Sequence, residues 1–194
     1  MTRFTDLTDA AIAVVAEQGM RGLTHRAVDA RAGLSLGTTS AYFRTRKALI
    51  EGLVRRLADL DDADLATRSF DVPTDPAGFA DAVAWVLDTW LTTGRERTLA
   101  RYACLLEATH HPELRTILAY GRSSRDQARA LMTAAGVPNP AQAGDHFVAC
   151  VDGLLFDRMV GAGALTAPAP GTPENRADLA TAVRRLLAGF TGPR

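Results

Sequence analysis

Along most of this chain apolar residues recur at helical spacing, and nowhere do they show the strict alternation of a half-buried strand. Near the start Phe4, Leu7, Ala11 and Val14 share one face of a helix predicted over 5–18, and Gly19 is suited to end it in a left-handed cap. Thr24 is a good N-cap for a short helix over 25–31 that stops before Gly33. Ser35 can cap another over 36–43, and Thr45 a longer one over 46–69. The stretch SFDVPTDP then breaks the pattern, because Pro73 and Pro76 cannot sit inside a helix. Asp75 followed by Pro76 reads as a cap and first helical residue. Further helices are predicted over 76–92, 95–109 and 112–134. After the break GVPNP, where Gly136 is the stop and Asn139 the cap, another covers 140–162. A small, Pro-rich loop, GAGALTAPAPGTP, precedes the last helix over 174–190, whose Leu179, Val183, Leu186, Leu187 and Phe190 line one face. The fold class is therefore all-α, with about nine helices.

The first three helices make a compact N-terminal unit, and the expected division is a head over 1–56 and a larger helical body over 57–194. Charge supports it. The whole chain is neutral, but residues 1–56 hold nine basic side chains against five acidic ones, leaving +4 on the head and −4 on the body. A basic head on an acidic body is expected when only the head meets phosphate. Apolar residues at 47% suffice for a core, and no run reaches the length of a membrane span. The opening MTRFTDLTDA lacks the apolar stretch of a secretory signal, so a cytoplasmic chain is expected. Cys104 and Cys150 lie amid apolar residues and are expected to be buried free thiols.

The helices over 25–31 and 36–43 are joined by the four-residue turn Ala32-Gly33-Leu34-Ser35, which is helix-turn-helix spacing. Such a unit lays its second helix in the major groove of double-stranded DNA. That helix offers Thr38, Thr39 and Ser40, whose small hydroxyl side chains can approach base edges, while Tyr42, Arg44, Arg46 and Lys47 crowd its exit where phosphates would lie.

Residues 4–56 resemble the N-terminal domain of the tetracycline-repressor (TetR) family. The resemblance rests on the amphipathic first helix, G-L-T at 22–24, Arg26, Val28, A-G at 32–33, L-S-L-G-T at 34–38, Phe43 and R-T-R-K-A-L-I at 44–50. The rest of the chain matches only in length and helical character. The resemblance implies that Thr24, His25 and Arg26 touch the phosphate backbone and that Leu36, Gly37, Thr38, Thr39 and Ser40 face the bases. It also implies that Tyr42 meets a phosphate, and that Arg46 stands where the family usually has a lysine aimed at phosphate. Ser40 departs from the family's usual tyrosine, so base preferences known for other members do not transfer. The resemblance further implies a homodimer formed by the last two long helices of each subunit.

The body carries no catalytic constellation, so an enzyme is not expected, and neither is a cofactor. Glu107 and His110 are three apart, but His110-His111-Pro112 reads as a polar helix end rather than a metal site. Glu107 and Asp152 sit in apolar stretches, where a charge needs a partner such as Arg101 or Arg158. Trp85, Trp90, Tyr102 and Tyr120 combine apolar area with a polar handle. With Asp152 and Phe156 they form the candidate lining of a small-molecule effector pocket. The leading expectation is a repressor released from an inverted-repeat operator by a small, largely apolar effector. The alternatives are a DNA-binding regulator without an effector, an activator, or a helical interaction or enzymatic domain whose head matches by coincidence.

Overall fold

The computed structural model describes residues 2–67, 75–111 and 122–191, and within them every regular element is helical. The helices are α1 (Arg3–Gly22), α2 (His25–Arg31), α3 (Thr38–Tyr42), α4 (Arg46–Thr67) and α5 (Pro76–Leu91). They continue as α6 (Arg95–Glu107), α7 (Arg122–Ala134), α8 (Pro140–Val160), α9 (Gly163–Thr166) and α10 (Pro173–Thr191). No described helix is long and apolar enough to cross a membrane.

Local chemistry accounts for most of the boundaries. Thr24 accepts a hydrogen bond from the Ala27 amide at 3.1 Å, Thr45 accepts from Ala48 at 3.1 Å, and Asp75 accepts from Gly78 at 2.8 Å, each satisfying an amide that a helix start leaves free. α1 is broken near its end by Gly19, at φ 68°. Three expectations are corrected. The helix expected over 36–43 begins only at Thr38, because Gly37 takes φ 92° and turns the chain first. Asn139 precedes α8 in a left-handed conformation and makes no side-chain cap. The expected loop after α8 contains α9, a single turn where the Gly163 amide donates to Asp157 at 3.2 Å. Of the helix expected over 112–134, residues 112–121 lie outside the described residues.

The chain divides into two compact units. The first comprises Met1–Ser69 and Arg95–Tyr120, and so holds α1–α4 and α6. Its core joins Leu7, Ala11 and Val14 of α1 to Val28 of α2, to Leu49, Leu53 and Leu57 of α4, and to Ala100 and Cys104 of α6, all buried. Phe4, expected on the apolar face of α1, is partly exposed, yet its ring lies 5.2 Å from that of Phe43. Arg56 of α4 grips Asp9 of α1 with two hydrogen bonds, at 2.7 and 3.1 Å. That contact raises the Arg56 pKa. Cys104 is buried as expected, and burial, aided by the Glu107 charge, pushes its thiol up to about 12. Such a thiol is unreactive near neutral pH.

The second unit comprises Phe70–Gly94 and Gly121–Arg194. Here α5 packs chiefly on α10, and α7 on α8. Phe79 and Phe147 have ring centroids 5.9 Å apart, and Phe147 meets Phe190 edge-on at 6.3 Å. The buried Asp88 of α5 accepts from the Gly171 amide at 2.8 Å and from Asn175 Nδ2 at 2.7 Å, fixing the start of α10. Arg129 and Asp145 tie α7 to α8 through two bonds of 2.9 Å. Cys150 is exposed on α8, against the expectation of burial.

Candidate nucleic-acid interface

Seven- and five-residue helices such as α2 and α3 are too short to persist alone, so tertiary contacts must hold them. Two side chains on one face of α2, four residues apart, do so. Asp29 is buried, and its carboxylate accepts from the Gly37 amide at 2.8 Å, the Thr39 amide at 2.7 Å and the Thr39 hydroxyl at 2.5 Å. The residue at the N-cap position of α3 is Gly37, which has no side chain to cap with. Asp29 supplies that function from across the turn. Burial works to raise the Asp29 pKa, but the Thr39 and Gly37 hydrogen bonds and the nearby His25 outweigh it, and the net shift is downward.

His25 holds the other end of α3. Its Nε2 lies 2.6 Å from the Phe43 carbonyl oxygen; a carbonyl only accepts, so Nε2 carries the proton. Phe43 is buried against Gly52 of α4, where a Cβ would come 2.5 Å from its ring. Only glycine lets α4 approach that closely.

The expected contact residues now take distinct places. Thr24, Arg26, Leu36, Gly37, Ser40, Tyr42, Arg46 and Lys47 are exposed, and Thr38 is half-buried. Arg46 donates through Nη2 to the Met20 carbonyl at 2.6 Å while its residue stays exposed, so its position at the start of α4 is fixed. Thr39 is a correction. It is fully buried, and both its amide and its hydroxyl bind Asp29, so it offers the bases no atom. His25 is half-buried with Nε2 engaged, which makes it a brace first. Sequence reasoning missed Asp29. The signal was present, because an acidic residue beside the core residue Val28, in a head with a basic excess, has a structural role or is misplaced.

In the body, Glu107 lies 3.3 Å from His111, and Arg158 is engaged by Asp178 and Asn175. Asp152 is exposed, so burial does not oblige its charge to find a partner. Among the described residues no group of three or more His, Cys, Asp or Glu could hold a metal ion. Trp85 and Trp90 stand on α5 in the second unit, whereas Tyr102 is buried on α6 in the first. Tyr120 lies outside the described residues. Five residues apart on a helix means roughly 140° of rotation, so Trp85 and Trp90 cannot line one wall together. Trp85 is 45% exposed, and Trp90 is half-buried. Phe156, 43% exposed, shares an arc of roughly 60° on α8 with Ala149, Gly153 and Val160, opposite the buried Phe147 and Leu155.

Residues 7–53 match the family model described as bacterial regulatory proteins, tetR family, and residues 74–189 match that of the tetracyclin repressor-like C-terminal domain. The chain belongs to the TetR family of transcriptional regulators. TetR regulators are DNA-binding proteins and not enzymes. Among solved structures, a transcriptional regulator from Rhodococcus sp. Rha1 is 25% identical with a TM-score of 0.75, covering 100% of both chains. The multidrug binding protein EbrR complexed with ethidium is 26% identical with a TM-score of 0.67, covering 95% of this chain and 98% of that one. A TetR member from Streptomyces coelicolor A3 is 27% identical with a TM-score of 0.66, covering 93% and 95%. A search of curated proteins finds no match.

Proposed function

We propose that this TetR regulator is a cytoplasmic repressor that binds an inverted-repeat operator as a homodimer and leaves it when a small, largely apolar effector occupies the body. The observation that carries the DNA half is the double tether of α3: Asp29 holds its start and His25 its end, so its outer face is presented rigidly. In this reading Leu36, Gly37, Thr38 and Ser40 face the bases. Thr24, Arg26, Tyr42, Arg46 and Lys47 contact phosphates. The functional division falls near residue 56, with recognition before it and effector response and pairing after it. The exposed apolar row Ala149, Gly153, Phe156 and Val160 on α8 is the surface best suited to pair with a second copy, which moves Phe156 from the effector list to the dimer face.

The effector half is supported by the likeness to EbrR, a protein seen bound to ethidium. Trp90, half-buried with an indole N–H, is the aromatic carried forward as its contact. An effector must bind the operator-competent and the released arrangements with different affinity, or nothing shifts.

Retardation of genomic DNA fragments tests the first half, and fragments that all run unretarded overturn it. Thermal unfolding with ethidium tests the second without DNA present. A ligand at 100 times its Kd stabilises by about 2.7 kcal/mol, and an unchanged transition across a panel of apolar aromatics and metabolites leaves a regulator that works without an effector.

A further inference from the structure

α3 has an unusual donor inventory. Thr38, Thr39 and Ser40 each carry a hydroxyl, but none has its proton free for a base. Thr38 donates to the Ser35 carbonyl at 2.7 Å, Thr39 to Asp29 at 2.5 Å and Ser40 to the Gly37 carbonyl at 2.9 Å. A carbonyl or carboxylate partner fixes the direction of each bond, so what Thr38 and Ser40 have left to offer is acceptor lone pairs and, for the half-buried Thr38, a methyl group. Beside them stands Leu36, 73% exposed. Leu34, two residues earlier, packs against the core, and the left-handed Gly37 that follows turns the chain, so Leu36 projects from the turn.

We infer that Leu36, with the Thr38 methyl beside it, is a specificity-determining apolar contact that reads the C5-methyl group of a pyrimidine in the major groove. This rests on the proposed docking of α3 against the bases. In that groove thymine alone among the four bases offers a methyl, and apolar side chains are its natural partners. Thr38 and Ser40, whose protons are already engaged, cannot replace that contact by donating to the guanine or thymine carbonyl. An isolated exposed leucine on a free surface would be unremarkable in energy, but here it is the most exposed large apolar side chain on the face proposed to meet DNA.

The test begins with selection of a binding site from a random duplex pool by the full-length protein. Wild type should select a motif with thymine at one fixed position in each half-site. Replacing that thymine by deoxyuridine, which lacks only the methyl, should weaken binding about fourfold per half-site, the value of one buried methyl-sized group. Replacing it instead by cytosine or 5-methylcytosine separates the methyl from the rest of the base, and the methylated form should bind about fourfold more tightly than the plain one. Leu36→Ala should erase both ratios and Leu36→Met should keep them, and since the side chain is exposed neither change should disturb folding. Equal affinity of wild type for thymine and uracil sites, a motif without a fixed thymine, or ratios that survive in Leu36→Ala would each overturn the inference while leaving DNA binding intact. Failure to select any motif would instead overturn the proposed docking itself.

Discussion

Removing the Asp29 carboxylate should loosen α3 and with it all DNA binding. In Asp29→Ala three donors lose their acceptor at once: the Gly37 amide, the Thr39 amide and the Thr39 hydroxyl. Hydrogen bonds to a charged group contribute about 1.5–3 kcal/mol each, and a buried donor left unpaired costs about 1–3 kcal/mol. These figures are not additive, because the turn relaxes and water enters. About 3 kcal/mol is a reasonable total, near the upper end of single-residue effects. Asp29→Asn keeps one acceptor oxygen and should lose about half as much. The measurement is denaturant unfolding of the three proteins, with the midpoint shift converted at constant slope. DNA affinity measured under folding conditions should fall by a similar factor on every sequence, since the whole helix is displaced rather than one base contact. A midpoint shift for Asp29→Ala worth less than about 1 kcal/mol, the size of an ordinary surface change, would refute the brace.

The same carboxylate predicts a pH dependence with a definite sign. Hydrogen bonds from Thr39 and Gly37 hold its pKa in the folded protein below the 3.8 usual for an aspartate. Its stabilisation is therefore complete above that value and is lost as pH falls through the lower, folded one. The stability gap between wild type and Asp29→Asn should be constant from neutral pH down to about pH 4 and close below it.

Thr39→Val should lower stability by about 1–2 kcal/mol and leave base preference unchanged, as read by selection from a random pool; an altered motif would return Thr39 to the bases. Arg46→Ala should weaken binding to all DNA and flatten its salt dependence, because one fewer phosphate is neutralised; an unchanged slope would remove Arg46 from the backbone contacts. Phe156→Glu should yield a folded monomer by light scattering and circular dichroism, whereas Leu187→Glu, buried within its own unit, should unfold that unit. A dimer that survives Phe156→Glu would place the pairing surface elsewhere.

Much of this fold was legible because caps and breakers are local. Thr24, Thr45 and Asp75 announce their helices by side chains that reach only three residues on, and the structure shows each bond. The site was less legible because its organisation is not local. Thr38, Thr39 and Ser40 look equivalent in sequence, three small hydroxyls in a row, yet one faces the core and all three protons are engaged by acceptors within the chain. That depends on Asp29, ten residues before Thr39, and on where Gly37 turns the chain. Aromatic content misled in the body for a similar reason. Trp85, Trp90 and Tyr102 are near in sequence, but helical rotation parts the first two and the third belongs to the other unit.

The packing of α6 carries the same lesson to the scale of the unit. Ala100, Cys104 and Ala108 recur every four residues and are buried in the core that also holds Leu7, Val14 and Met20 of α1. Small side chains at that spacing give α6 a smooth face, so its backbone lies close to α1. To a reading based on large apolar residues this face is nearly invisible. Its consequence is that the core beneath the proposed DNA-contact surface extends to Ala108, well past the division near 56. A larger side chain at Ala100, which is fully buried, has no space to enter, and overpacking of this kind costs about 1–3 kcal/mol. Ala100→Leu should therefore destabilise the first unit and reduce affinity for every DNA sequence alike, without altering the selected motif. By the same reasoning a fragment ending at residue 69 should lack a cooperative unfolding transition, because the α6 side of α1 would stand exposed. A fragment that unfolds cooperatively and binds the selected site with full affinity would show that α6 is dispensable to the head.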